Sequence, residues 1–143
     1  MKVVLKRIEL QTHLDKELID ITPDVERVVG ESGVREGVVF VMTLHTSSGM
    51  LVNEGLECLE RDIVQQLERL APDAGDYAHN RYLDIDGRLG YNAGSHLKGL
   101  ISGFQVFFPV HDGQIVKGSR QRVYFAEYDG PLLRTYCVQV IGE

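Results

Sequence analysis

The chain has 143 residues, 43% of them hydrophobic and 25% charged, with a formal net charge of -6. That length and balance suit one compact domain with one core. The acidic balance argues against broad non-specific binding to nucleic acid, which needs Lys and Arg to neutralise phosphates. No apolar run approaches the ~20 residues that cross a bilayer. The N-terminus, MKVVLKRIEL, flanks its short apolar stretch with charges and lacks the apolar region and small-residue cleavage site of a signal peptide. A cytoplasmic protein with no membrane and no nucleic-acid partner is expected. Cys58 and Cys137 form no CxxC pair, and in a reducing compartment they read as two thiols rather than a disulfide or metal ligands.

In chain order, residues 3–10 alternate like a strand, and 18–21 read as a second, short one. Thr22-Pro23 then offers an N-cap with Pro at the first helical position, and that helix should end near Gly30 or Gly33. Residues 37–45 are almost continuously apolar, which marks a central strand buried on both faces. His45 stands at its C-terminal end. Leu56, Leu59, Ile63, Leu67 and Leu70 make an apolar stripe at helical spacing. A helix is therefore expected over 53–70, with Asn53 as N-cap and Glu54, Cys58 and Asp62 as a polar stripe beside the apolar one. Residues 71–91 read as a long loop broken by Pro72, Gly75 and Gly87 and ordered by Tyr77, Tyr82 and Tyr91. A short helix over 93–101 carries His96. A strand over 104–110 turns at Asp112-Gly113 into 114–116. Two further strands, 121–128 and 132–141, are joined at Asp129-Gly130-Pro131.

Those last two strands put charge on core-facing phases. Glu127 shares a face with Val123 and Phe125, and Arg134 shares one with Tyr136, Val138 and Val140. A charge there is costly unless paired. Glu127 and Arg134 are therefore expected at the core's edge near the hairpin end of these two strands, paired with each other or lining a pocket.

The chemistry-bearing candidates are histidines. His45, His79 and His96 each sit at the end of an element or beside a polar loop, flanked by small or hydrogen-bonding residues. Three neutral imidazoles meeting at one point commonly hold a catalytic divalent metal with an open position. Spacing alone does not make them meet, and no HExxH, EF-hand or Cys-rich pattern accompanies them. His13 and His111 read as ordinary exposed polar residues. Thr46-Ser47-Ser48-Gly49 offers small donors that suit either an anion cradle or a plain polar connection. Arg120, in Gly118-Ser119-Arg120-Gln121, suits either a phosphate contact or an exposed turn. Ser47 and Ser48 lack the GxSxG elbow of a nucleophilic serine.

Taken as an ordered set, His45-Thr46-Ser47-Ser48-Gly49, Asn53-Glu54, Asp62, Tyr77-Ala78-His79, Asn92 through His96, Pro109-Val110, Gly113, Gly118, Gln121, Glu127 and Asp129-Gly130-Pro131 resemble the YjbQ-like family over nearly the whole chain. Its members are described as uncharacterised proteins, some as secondary thiamine-phosphate synthases. The resemblance implies an α+β fold and a homotrimer with the histidines near a subunit interface. Carried over, it makes His45, His79 and His96 the metal or anion cluster. Glu54 and Asp62 become the candidate general base or orienting carboxylates. Asn53, Gln121, Glu127, Asp129 and Arg134, joined by Thr46, Ser47 and Arg120 from the reading of the residues themselves, become the candidate substrate-binding set. The chain departs from the family where Trp is expected: Arg120 stands in that segment, and the chain has no Trp anywhere. Leu132 replaces an expected Arg, and Phe104-Gln105 replaces a Ser.

The expected architecture is thus a single α+β domain over 1–143, with a mixed, largely antiparallel sheet packed against two or three helices. The expected function is a metal-dependent enzyme for a small phosphorylated or heterocyclic substrate, with weak thiamine-phosphate synthase side activity. Its cofactor would be Zn²⁺, or Mg²⁺ for a diphosphate substrate. The other reading is a homotrimer that binds a small ligand or anion without chemistry.

Overall fold

The computed structural model describes residues 1–81 and 91–143; the expectations placed on Tyr82 and Gly87 lie outside them. The elements are β1 (Lys2–Gln11), β2 (Glu17–Asp20), α1 (Thr22–Ser32), β3 (Gly37–Thr43), β4 (Ser48–Glu54), α2 (Glu57–Leu70), a 3₁₀ turn (Ala78–Arg81), α3 (Ala93–Ser102), β5 (Gln105–His111), β6 (Gln114–Ile115), β7 (Gln121–Glu127) and β8 (Leu133–Gly142). The class is α+β, and the strand pairings of the described residues are antiparallel. The strands divide between a five-stranded sheet, order β1-β8-β3-β5-β6, and a three-stranded one, order β2-β7-β4.

The core lies between these sheets. Val39, Val41, Val138 and Val140 of the larger sheet meet Met50, Val123 and Phe125 of the smaller, and Val25, Val28 and Val29 of α1 close the cluster. Each such side chain contributes about 1.5–3 kcal/mol by leaving water. α2 then covers the other face of the smaller sheet, where Leu67 packs on Ala126 and Tyr128 with Leu18, Leu51 and Ile63 around them. β7 is therefore buried on both phases from Val123 to Glu127. Among the described residues nothing covers one face of the larger sheet. Val3, Leu5, Phe107 and Leu133 share that face by register and are 51–64% exposed.

Three features differ from the sequence reading. Residues 48–54 form a strand, so α2 starts at Glu57 with Leu56 as N-cap, and Asn53 lies on β4. Met50 and Val52 pair with Phe125 and Val123 of β7 and point into the core, a period-two burial that overrides the helical stripe extended backwards. Thr22 is the first residue of α1 rather than its cap; its N–H is taken by the Asp20 carboxylate (2.9 Å). β7 and β8 do not pair with each other. The Asp129-Gly130-Pro131 link, with a cis Gly130–Pro131 bond, carries the chain from one sheet to the other.

Candidate functional site

The loop after β3 is held by its own hydroxyls. The Thr43 and Ser48 hydroxyls share a hydrogen bond of 2.7 Å, the His45 N–H donates to Thr43 Oγ1 (3.2 Å), and Ser48 Oγ donates to the His45 carbonyl (3.3 Å). Across from it, α3 is pinned at two points. Ser95 Oγ donates to the Tyr128 carbonyl (2.6 Å). Lys98, fully buried, donates to the Ala71 carbonyl and Asp73 Oδ1 and pairs with Glu68 Oε2, each at 2.7 Å. Two glycines let α3 and this loop approach backbone to backbone. A Cβ on Gly99 would stand 2.6 Å from the Ser48 carbonyl oxygen, and one on Gly49 would stand 3.0 Å from that of Gly103. Glycine inside a helix costs about 0.5–1 kcal/mol relative to Ala, so Gly99 is held there by this approach.

Between loop and helix lies a cleft of about 350 Å³. His45, Thr46 and Ser48 line one side, His96, Leu100 and Phe104 the other, with Gly99 and Gly103 between. His79, on the 3₁₀ turn, meets His96 edge to face, ring centroids 5.1 Å apart at 60°. The fold thus brings His45 and His96 to one cleft and His79 to His96. The His45 ring has a fixed partner: Nε2 accepts the Thr135 N–H of β8 at 2.9 Å. Burial, joined by the Arg134 charge and opposed by Glu127, holds the His45 ring below its ordinary pKa and so favours the neutral form.

Glu127 and Arg134 are paired and fully inside, 0% and 3% exposed. Arg134 Nη2 donates to Glu127 Oε1 (2.5 Å), and its Nε donates to Oε2 (2.8 Å). The same Nη2 donates to Ser47 Oγ (2.9 Å). Glu127 also accepts from Thr12 Oγ1 and from the Asp129 N–H, both at 2.9 Å. Burial opposes the charge on Glu127, but the bonds from Arg134, Asp129 and Thr12 outweigh it and hold the carboxyl below its usual range. The pair therefore fixes the loop behind His45 instead of lining an open pocket. Asp129 extends the chain of contacts to α3 by accepting from Asn92 Nδ2 (2.9 Å).

The remaining candidates lie elsewhere. Glu54, at the far end of β4, pairs with Arg120 (2.7 Å). Six residues of strand put it roughly 20 Å from Ser48. Asn53 beside it is exposed, with Oδ1 accepting the Glu54 N–H. Gln121 Oε1 accepts the Gly118 N–H (2.7 Å). Asp62 is exposed on α2, separated from Glu54 by the break between β4 and α2. Of the sequence candidates, His45, Thr46 and His96 line the cleft itself, together with Ser48 of the Thr46–Gly49 turn. Leu100 and Phe104, both exposed large hydrophobics, join them without having been singled out as site residues. Their one sequence signal is a glycine inside a helix beside them, Gly99.

Among the described residues, no group of three or more His, Cys, Asp or Glu is arranged to hold a metal ion. The ring-centre spacing of the His79–His96 pair is compatible with a shared divalent ion. Two imidazoles on one tetrahedral zinc, each nitrogen about 2.0–2.1 Å from it, set their ring centres ~5 Å apart, which is the spacing seen. His45 fits only if its bond to Thr135 opens.

Residues 6–143 match the model of the family described as UPF0047 protein YjbQ-like. A UPF0047 protein of Archaeoglobus fulgidus is 40% identical over 134 residues, covering 94% of this chain and 98% of the relative. A second, from Methanothermobacter thermautotrophicus, is 37% identical over 143 residues, covering 100% of this chain and 95% of the relative. The crystal structure of a YbjQ-like protein of unknown function from Sulfolobus solfataricus superposes with a TM-score of 0.90 at 30% identity, covering 99% of each chain. That of an uncharacterized conserved protein of the yjbq/upf0047 family from Clostridium acetobutylicum gives 0.86 at 33% identity, covering 95% of this chain and 99% of that one. No helix among the described residues is long and apolar enough to cross a membrane. On both sequence and fold, the chain belongs to the UPF0047, YjbQ-like family.

Proposed function

We propose that the chain is a metal-dependent enzyme acting on a small phosphorylated or heterocyclic molecule in the cleft between the β3–β4 loop and α3. The observation that carries this reading is that His96 lines one cleft with His45 and touches His79 edge to face beside it. His79 and His96 would hold Zn²⁺; Mg²⁺ would instead enter on the oxygens of a diphosphate substrate. A bound divalent ion supplies Lewis-acid stabilisation of phosphoryl oxygens and of a departing pyrophosphate. The chain's own residues do the rest. Leu100 and Phe104 give an apolar wall for a ring, and Thr46 gives a hydroxyl at the rim. The buried Glu127–Arg134 pair holds Ser47 and so the loop in place.

The substrate pair to try first is a pyrimidine diphosphate with a thiazole phosphate, the reactants of thiamine-phosphate synthesis. Slow pyrophosphate release that needs added Zn²⁺ or Mg²⁺ and disappears in a His79→Ala/His96→Ala variant is expected. Release that survives in that variant or in chelator would contradict the assignment.

The homotrimer belongs to the same proposal. Its support is the bare sheet face carrying Val3, Leu5, Phe107 and Leu133, a surface suited to further copies of the chain. Glu54 and Asp62, remote from the cleft in one chain, would then reach a cleft only as a neighbouring subunit's contribution. Light scattering coupled to gel filtration tests the trimer directly; a monomer would remove both carboxylates from the mechanism.

A non-catalytic, anion- or ligand-binding homotrimer is the second reading. It is favoured by the engagement of His45 Nε2 with Thr135, which leaves an ion two histidines. The pH dependence of binding separates the two. Bound metal is lost on mild acidification, because imidazole ligands must be neutral, whereas an anion held by backbone donors and hydroxyls persists.

A further inference from the structure

We propose that His45 is a tautomer-locked, neutral hydrogen-bond donor: Nε2 is sealed by the Thr135 N–H, and the ring offers Nδ1–H to an acceptor on a planar heterocyclic ligand instead of a lone pair to a metal. The inference rests on reading the cleft as a small-molecule site and does not need the metal.

The lock follows from the ladder between β3 and β8, which ends at the pair Thr43–Tyr136. One residue on, the Leu44 N–H donates to the Thr135 carbonyl (3.2 Å). The Thr135 N–H then goes to the His45 ring at 2.9 Å, so an imidazole stands where a backbone acceptor would continue the sheet. A backbone N–H can only donate. Nε2 must therefore carry the lone pair, and a neutral imidazole then has its proton on Nδ1. The imidazolium is excluded by the same contact, because a proton on Nε2 would face the Thr135 N–H. Arg134, buried next to Thr135 and 3% exposed, adds a positive charge that disfavours a second one on the ring. Metal ligation through Nδ1 would require that nitrogen to lose its proton while Nε2 stays engaged.

No acceptor among the described residues takes a hydrogen bond from Nδ1, while the ring lines the cleft. The ligand that fits has an acceptor for this donor and a flat apolar body for Leu100 and Phe104. At about 350 Å³ the cleft sits at the small end of ligand pockets, roughly 300–1,000 Å³, which suits a one- or two-ring heterocycle.

Long-range ¹H–¹⁵N correlation on ¹⁵N-histidine-labelled protein tests the lock without any variant. At neutral pH, His45 is expected as the neutral Nδ1–H form. Added Zn²⁺ should leave its pattern unchanged while His79 and His96 respond. An Nε2–H form, a charged ring, or a Zn²⁺-shifted His45 overturns the inference. If Zn²⁺ moves none of the histidines, the metal assignment falls and the lock stands. Pyrimidine and benzene then serve as matched rings with and without an acceptor. Pyrimidine should shift His45 Nδ1 and bind His45→Ala about tenfold more weakly, the loss of one hydrogen bond. His45→Asn, whose amide N–H lies near the Nδ1 position, should restore most of the affinity. Pyrimidine that moves Leu100 and Phe104 but not His45, or binds His45→Ala equally well, overturns the inference and leaves the cleft as a site. If pyrimidine moves no cleft signal, the cleft reading fails and the ligand falls with it.

Discussion

Two carboxylate–arginine pairs sit at opposite ends of the β4–β7 ladder. Glu127–Arg134 is 2.5 Å long with side chains 0% and 4% exposed; Glu54–Arg120 is 2.7 Å long with side chains 33% and 82% exposed. Their lengths are nearly equal, so length does not tell them apart. Desolvation does. The buried pair needs the extra bonds from Thr12, Asp129 and Ser47 to tolerate its position. The exposed pair competes with water and holds nothing else in place. One is part of the frame behind the cleft, and the other remains available to a ligand or a neighbouring subunit.

The largest test of this contrast is Glu127→Ala, which strands the Arg134 charge in the core. A loss of about 3–5 kcal/mol in denaturant unfolding is expected. An apolar double replacement, Glu127→Leu with Arg134→Met, should cost less than either single change. A single-variant loss below about 1 kcal/mol would place the pair with the surface ones. Lys98→Met comes next, at about 1–3 kcal/mol, because it leaves the Ala71 carbonyl and Asp73 without the donor that pins α3. Its unfolding midpoint should fall without a change of slope.

Acid stability separates the regions further. Burial raises the carboxyls of Glu127 and Asp73, but their bonds to Arg134 and to Lys16 and Lys98 outweigh it, so both are held below their ordinary values of 4.5 and 3.8. In that pH range and just below, the unfolded chain binds more protons than the folded one. Their stabilisation is complete above those values and is lost as pH falls through the lowered ones. His45, also lowered, adds a loss of its own as pH drops below 6.5. Unfolding free energies measured from neutral pH downward should fall first through His45 and then through the two carboxyls, and His45→Asn should remove the first step. The smallest effect is expected from Glu54→Ala, under about 1 kcal/mol. A larger loss there would mean that the far end of β4 is not the open surface it resembles.

What the sequence made legible was short-range. The all-apolar β3 is central in its sheet, but only one of its faces is fully buried: Val38, Phe40 and Met42 are half-buried on the other, against the expectation of burial on both. Asp112 and Gly113 turn the β5–β6 hairpin with φ of 53° and 77°, as a two-residue turn of this type requires. The charges at Glu127 and Arg134 were readable as a pair because both fall on core phases. The missed features depend on distant partners. Residues 48–54 are a strand because β7, some seventy residues later, buries Met50 and Val52. Strands flanking a short link looked like a hairpin, yet β2 and β4 claim β7 while β1 and β3 claim β8. The site was half visible. Family resemblance named its histidines, but nothing near His45 signals that its ring is bonded to a backbone N–H ninety residues away. Nor does any local pattern separate Glu54 and Arg120 from the cleft.

The most direct measurement is the divalent-metal content of purified, untagged protein beside its His79→Ala/His96→Ala variant. Near-stoichiometric metal in the first and none in the second is the expected result. A metal-free chain that takes up no added Zn²⁺, or a variant that keeps its ion, would contradict the assignment of that histidine pair.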